Sequence, residues 1–312
     1  MKSMSEKHIP VLLNETLDAL NVRRGGRYVD GTLGRGGHTR EILARGGQVL
    51  GIDRDEQALA EVAQSDLGDH AAFSSVKGNH GKLKELANEH GWREVEGILL
   101  DLGVSSPQLD EAGRGFSFLR EGPLDMRMDR SCGLSAAELV NGEGEDSLTE
   151  IFRTLGEEPQ ARRIARAIVR AREEGRRFVT TLDLADFVAR TVGRHGAHHP
   201  ATRVFQSLRM AVNDEIGELE HALEGGLGLL APGGRFAVIT FESLTDRVVK
   251  RCFAGHVGKM RSLQAGGAVW EGALPRVRAV TRRAVTAGER ELELNPRARS
   301  AKLRVIEKEV AA

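Results

Sequence analysis

Four glycines between Gly31 and Gly37 stand directly behind a short strand-like run, Arg27 to Asp30, and just ahead of Glu41, Ile42 and Leu43, where a helical pattern begins. A strand, a tight turn and a helix start in that order constrain the fold strongly. Backbone without Cβ atoms approaches a ligand closely, and exposed amides at a helix N-terminus favour a negative group. Downstream, Asp-Leu-Gly-Val-Ser-Ser-Pro-Gln-Leu-Asp from Asp101 to Asp110 opens at the end of another strand-like run, Gly97 to Asp101. The two features place a cradle and a polar loop at two strand ends of one sheet.

A further strand, Gln48 to Ile52, ends at Asp53, about 20 residues past the glycine turn, the spacing at which a carboxylate holds ribose hydroxyls. A nucleoside-bearing cofactor follows from this spacing. The dinucleotide fingerprint requires G-x-G-x-x-G, whereas Gly34-Arg35-Gly36-Gly37-His38-Thr39 places a threonine where the third glycine belongs. No G-x-x-x-x-G-K-[ST] occurs. The turn itself leaves three readings open: S-adenosylmethionine, which it favours, a dinucleotide, or a purely structural turn.

Strand-like runs at Arg27 to Asp30, Gln48 to Asp53, Ala72 to Lys77 and Gly97 to Asp101 alternate with helical stretches such as Glu56 to Ala63 and Lys82 to Glu89. This alternation predicts an α/β fold with a parallel, doubly wound sheet. The pattern then stops for about 100 residues and resumes at Arg235 to Phe241, after the turn Leu229 to Gly234, with Ala301 to Glu307 as a closing strand. The simplest account is a helical insertion over 106–199, returning through a long amphipathic stretch, Ala201 to Leu230. That gives a first sheet segment over 1–105, the insertion, and a second sheet segment over 200–312. Val257 to Gly288 has no readable period. With 312 residues and 40% hydrophobic content the chain builds a real core. The polar start, Met1 to His8, and the absence of an 18-residue apolar run point to a cytoplasmic protein without a membrane segment. Cys132 and Cys252, far apart, read as inert thiols.

Basic and acidic residues balance at 45 each, but they are unevenly placed. Gln160 to Asn213 holds eleven arginines against four acids, and Arg276 to Arg304 holds nine basic residues against three acids. Such polarity suits a phosphate backbone on one face, and a solvated helix face is the plainer alternative. On Gln160 to Glu174, Ile164 and Ile168 share one helix face while Arg162, Arg166 and Arg170 form another.

Several segments together resemble the RsmH (MraW) family of bacterial 16S ribosomal RNA cytosine N4-methyltransferases. They are His8 to Glu15, Asp30 to His38, Asp101 to Asp110, Arg114 to Phe118, Gly122 to Asp129, Ala161 to Ile168, His199 to Arg203 with Phe205-Gln206, Val212 to Glu215, and Asn295 to Ala301. They follow in family order over nearly the whole chain. The resemblance implies a class I S-adenosylmethionine-dependent methyltransferase sheet, Rossmann-like, with an inserted helical substrate-recognition domain. It implies methylation of a cytidine of small-subunit ribosomal RNA in the decoding region. By similarity Gly36, Gly37, His38, Asp53, Asp101 and Gln108 bind S-adenosylmethionine, and His80 stands where relatives carry a cofactor-lining phenylalanine. In Phe241 to Arg247, Glu242 and Thr245 replace a histidine and a glutamate of the family pattern.

Cytosine's exocyclic amine is a poor nucleophile, so it must be oriented and helped to lose a proton. Asp101 is the candidate base or amine-orienting group, with Ser105 and Ser106 as hydrogen-bond partners on the same loop; pure cofactor binding by Asp101 and capping by the serines is the plainer alternative. Phe116 and Phe118 read as core residues before they read as base-stacking ones. His195, His198 and His199 lack a cysteine or carboxylate at ligand spacing, so no metal is expected and they read as loop or capping residues. Arg203, Arg209, Arg297 and Arg299 are the phosphate-contact candidates. The partner implied is 16S ribosomal RNA in the small ribosomal subunit; a homodimer is compatible with the sequence and not specified by it. A non-catalytic RNA-binding assembly factor on the same fold, and a nicotinamide-dependent oxidoreductase, are the competing readings.

Overall fold

The computed structural model describes residues 10–193, 199–263 and 267–310, so His8, Ile9, His195 and His198 lie outside the described residues. The chain divides into two compact units, one formed up to Gly103 and again from Ile216, the other Val104–Glu215.

The first unit begins with α1 (Leu13–Leu20), β1 (Arg27–Asp30), α2 (Gly37–Ala44), β2 (Gln48–Asp53), α3 (Glu56–Ala63), β3 (Phe73–Lys77), α4 (Leu83–Glu89) and β4 (Val95–Asp101). The second unit contributes α5 (Ser106–Asp110), α6 (Ala136–Gly142), α7 (Glu145–Thr154), α8 (Ala161–Glu173), α9 (Thr181–Val192) and α10 (Thr202–Val212). The sheet unit then resumes with α11 (Glu215–Leu229), β5 (Leu230–Thr240), α12 (Ser243–Val257), β6 (Lys259–Ser262), β7 (Ala268–Glu271), β8 (Val277–Ala279), α13 (Glu289–Leu294) and β9 (Lys302–Lys308).

Seven strands form one sheet in the order β3-β2-β1-β4-β5-β9-β8. β1 to β5 run parallel, and β9 enters antiparallel between β5 and β8. This is the doubly wound, mostly parallel sheet that the alternation of strands and helices predicts. Near-continuous apolar strands are what a parallel sheet covered on both faces requires, because successive side chains point to opposite sides. Val29, Leu50, Ile98, Leu100, Phe236 and Val238 pack against Leu83 of α4, Leu219 and Leu223 of α11 and Phe253 of α12. Tyr28, Val49, Leu99, Ala237 and Ile239 pack on the other face against Leu17 of α1 and Ile42 of α2.

Some boundaries differ from the sequence expectation. β5 starts at Leu230, which already pairs with Val95 across a register shift, so the Pro232-Gly233-Gly234 segment expected as a turn belongs to the strand. The stretch 201–230 is two helices, broken where Asp214 takes a left-handed φ of 46°. Val257 to Gly288, unreadable by period, supplies the small β6–β7 sheet and the edge strand β8. Among the described residues no helix is long and apolar enough to cross a membrane.

In the helical unit, Ile164, Ala165 and Ile168 of α8 are fully buried with Phe152, Phe178, Leu184 and Val188, which is the face the spacing predicts. Val204, Phe205 and Leu208 of α10 join the same core. The helical unit therefore extends to Glu215 instead of ending at residue 199, because α10 buries its apolar side there. Asn213 clamps that end: its Oδ1 accepts from Met128 N, and its Nδ2 donates to the carbonyls of Met126 and Arg209.

Phe236 is fully buried and packs at 5.9 Å ring to ring with Phe253. Phe236→Ala is expected to destabilise the protein by about 3–5 kcal/mol in urea unfolding. A loss under about 1 kcal/mol would mean that this layer is not a packed core.

Candidate active site

Three acids close three neighbouring parallel strands: Asp30 on β1, Asp53 on β2 and Asp101 on β4. In an open α/β sheet, ligands bind outside the carboxyl ends of the strands where the order reverses, which here is between β1 and β4. The glycine turn fills that edge. Gly31 N donates to Leu99 O at 2.9 Å and Leu33 N to Ile52 O at 3.0 Å, tying the turn to both flanking strands. Gly36 has φ 71°, and a Cβ there would stand 2.3 Å from Leu67 Cδ1, so only glycine serves at the start of α2.

Each acid is held differently. Asp53 accepts from Gly34 N at 2.7 Å through Oδ2 and from Asp55 N at 2.9 Å through Oδ1, which fixes the turn while leaving lone pairs for a diol. Burial raises its pKa against these hydrogen bonds. Asp30, 2% exposed, accepts from Thr39 Oγ1 at 2.7 Å and Thr32 N at 3.2 Å. Burial lifts its pKa to about 6. Asp101 is tethered by its backbone, since its N–H donates to Thr32 Oγ1 at 2.6 Å. Its carboxylate has no such support: Oδ1 is buried without a hydrogen-bond partner among the described residues, and Oδ2 stands 3.8 Å from His38 Nδ1. Burial, and then the charge of Asp30, push its pKa up to about 7. His38 is 5% exposed, and its Nε2 lies 3.1 Å from Val11 O. That carbonyl requires Nε2–H, which leaves Nδ1 with its lone pair toward Asp101 in the neutral ring.

The sheet unit thus brings together Gly36, Gly37, His38, Asp53, His80 and Asp101. Asp30 was missed in the sequence, although it carries the same signal as the other two acids, a carboxylate closing an apolar strand. Ser105, Ser106 and Gln108 belong to the helical unit, where Ser105 caps α5. Ser105 Oγ accepts from Gln108 N at 3.4 Å and Gln108 Oε1 accepts from Ser105 N at 3.0 Å, a reciprocal capping box. Phe116 is buried, and Phe118 packs edge-on to Phe205 at 4.8 Å, both in the helical core. His199 Nδ1 accepts from Ala201 N at 3.2 Å ahead of α10, a capping role.

Arg209 departs from its expected role. It is 9% exposed and donates from Nε and Nη2 to both carboxylate oxygens of Glu215, at 2.7 and 2.9 Å. A guanidinium held in a fork by a buried carboxylate is an internal tie and leaves the phosphate-contact set. Arg203, Arg297 and Arg299 are exposed. Glu242 and Thr245 sit at the start of α12, where Thr245 Oγ1 donates to Glu242 O at 3.0 Å. Next to them, Asp246 takes Arg304 at 2.7 Å and Lys302 at 3.4 Å, joining α12 to β9. Burial works against the Asp246 carboxylate, but those two cations outweigh it and hold its pKa below the usual range.

Residues 5–309 match the model of the MraW methylase family. The chain belongs to the MraW methylase family. Among its relatives, the ribosomal RNA small subunit methyltransferase H of Shewanella frigidimarina is 47% identical over 308 residues, covering 96% of this chain and 97% of its own. Its namesake from Shewanella amazonensis is 47% identical over 309 residues with the same coverage. A solved structure of a putative rRNA methylase from Clostridium thermocellum is 13% identical, covers 96% of this chain and 98% of its own, and superposes with a TM-score of 0.45.

For this MraW methylase, the half-buried Asp101 carboxylate has a measurable consequence. With its folded pKa raised above the unfolded value of 3.8, Asp101 favours the fold when protonated. That stability is fully present below the unfolded pKa and is lost as pH rises through about 7. Asp101→Asn removes the loss, so in urea unfolding its advantage over the wild type is expected to be larger at about pH 8 than at about pH 4. A gap independent of pH would contradict the assignment.

Proposed function

We propose that this MraW methylase transfers a methyl group from S-adenosylmethionine to the exocyclic N4 amine of a cytidine in the decoding region of 16S ribosomal RNA. Family membership and the names of its relatives support small-subunit ribosomal RNA methylation. The observation that carries the choice of an amine is Asp101 Oδ1, a buried acceptor at the carboxyl edge of the sheet without a donor among the described residues.

The residues present fit the cofactor. A Cβ at Gly36 or Gly37 would collide with Leu67 or Pro10, so glycine is required to seat the turn at the start of α2, where amides favour a negative group, and Asp53 retains lone pairs for ribose hydroxyls. Gly36, Gly37 and His38 would hold the methionyl end, Asp53 the ribose, and His80, Asp101 and Gln108 the remainder. When bound, S-adenosylmethionine supplies an electrophilic methyl group on sulfur. The protein's part is orientation and proton removal. Asp101 Oδ1 would accept one N–H of the amine and so orient it, and would take up that proton when the methyl leaves sulfur for nitrogen and S-adenosylhomocysteine is released; its pKa near neutrality suits a general base. Ser105 and Ser106, four and five residues after Asp101 in the chain, are the candidates to orient the base edge. Arg203, Arg297 and Arg299 contact phosphates, and the protein acts in the cytoplasm on the small ribosomal subunit. A homodimer is compatible with this reading.

Labelled S-adenosylmethionine and small ribosomal subunits, followed by nuclease digestion, are expected to yield N4-methylcytidine. Asp101→Asn should lower turnover by about 10²-fold or more when measured at saturating S-adenosylmethionine, which separates the chemical step from any loss of cofactor affinity. Cofactor and RNA binding with no transfer by the wild type would leave the non-catalytic assembly-factor reading standing. In the same system Arg297→Ala and Arg299→Ala should each weaken RNA binding and lower the salt slope by about 1; an unchanged slope places those arginines off the RNA.

A further inference from the structure

His80 lies beyond β3, at the start of the short 3-10 turn His80–Lys82, with Asn79 Oδ1 accepting from Gly81 N ahead of it. It stands against the glycine turn: a Cβ on Gly31 would be 3.4 Å from His80 Cβ. Its Nε2 is buried and has no hydrogen-bond partner among the described residues. Burial, and then the positive charge of Arg54, keep the ring neutral by lowering its pKa to about 4. A neutral imidazole carries one N–H and one bare acceptor. An orphaned N–H in the interior is rarer than an orphaned acceptor, and Nδ1 is not among the buried unsatisfied atoms. The proton therefore sits on Nδ1, and Nε2 is a lone pair awaiting a donor.

The strand order says which donor. A nucleoside with its ribose at Asp53 on β2 and its reacting end toward Asp101 on β4 spans β2, β1 and β4. Its base then lies on the remaining side of β2, toward β3, the strand that leads into His80. We propose that His80 reads the base of the cofactor, its Nε2 accepting a hydrogen bond from the exocyclic amine of adenine. This rests on S-adenosylmethionine being the methyl donor. An unsatisfied buried acceptor weakens any ligand that fails to fill it, so the histidine sets base specificity as well as affinity. A hypoxanthine base, with a carbonyl in place of the amine, presents lone pair to lone pair.

Calorimetric titration of the full chain with S-adenosylhomocysteine and with its inosine counterpart tests this. The wild type is expected to bind the adenine compound about tenfold more tightly, a difference of about 1.4 kcal/mol. His80→Phe keeps a ring of similar shape without the nitrogen; it should bind the adenine compound about tenfold less tightly and lose the discrimination. Equal affinities for wild type and variant, or discrimination that survives the substitution, overturns the proposal. A wild type that binds neither compound rejects the cofactor assignment instead. Independently of any variant, the ¹⁵N resonance of His80 Nε2 should move toward the hydrogen-bonded acceptor range when S-adenosylhomocysteine is added. A resonance that stays in place also overturns the proposal.

Discussion

Burying acids at the ends of adjacent parallel strands is costly, and how each cost is offset shapes the site. Like charges repel in a poorly solvated edge, and every carboxylate there loses hydration. Asp53 recovers part of this through two backbone amides, and those bonds set the glycine turn in place. Asp30 recovers it through the hydroxyl of Thr39 and the amide of Thr32, which ties β1 to α2. Asp101 recovers none at Oδ1. The sheet that carries it is packed on both faces by apolar layers. The proposed amine chemistry depends on that one acceptor, which has no donor among the described residues.

Features encoded by contiguous residues were legible in the sequence. Gly31 to Gly37 reads as a strand, turn and helix start because φ requirements and missing Cβ atoms are local facts. Asp53 reads as a ribose-holding acid from its spacing past the glycine turn, and Asp101 as a candidate base from the family resemblance and the polar loop it opens. Asp30 also ends a strand, but its carboxylate is engaged by Thr39 and Thr32, contacts that depend on how the turn folds. The interruption of the sheet was visible in the switch of hydrophobic period, but its end was not. Whether α10 belongs with the helices or with the returning sheet depends on what Val204 and Leu208 pack against, a long-range fact.

The arginines make the same distinction. Counting charges along Gln160 to Asn213 gives a strongly basic segment, yet several of those guanidinium groups are structural. Arg209 is held by Glu215, and Arg172 donates to the carbonyls of Val140 and Glu143. The i, i+4 stripe on α8 is exposed, but Arg162 and Arg166 share Glu145 and Arg170 meets Glu174. Local net charge counts heads without their directions, so it finds a basic segment and cannot sort phosphate contacts from internal ties. The exposed Arg203, Arg297 and Arg299 are what remains of the original set once burial is known.

The most direct test is a crystal structure of the full chain with S-adenosylhomocysteine and a cytidine-bearing oligonucleotide. The account requires the N4 amine within hydrogen-bond distance of Asp101 Oδ1, about 3 Å, and facing the cofactor's sulfur. An amine turned away from Asp101, or held by a different acceptor with Oδ1 still unpartnered, would contradict it.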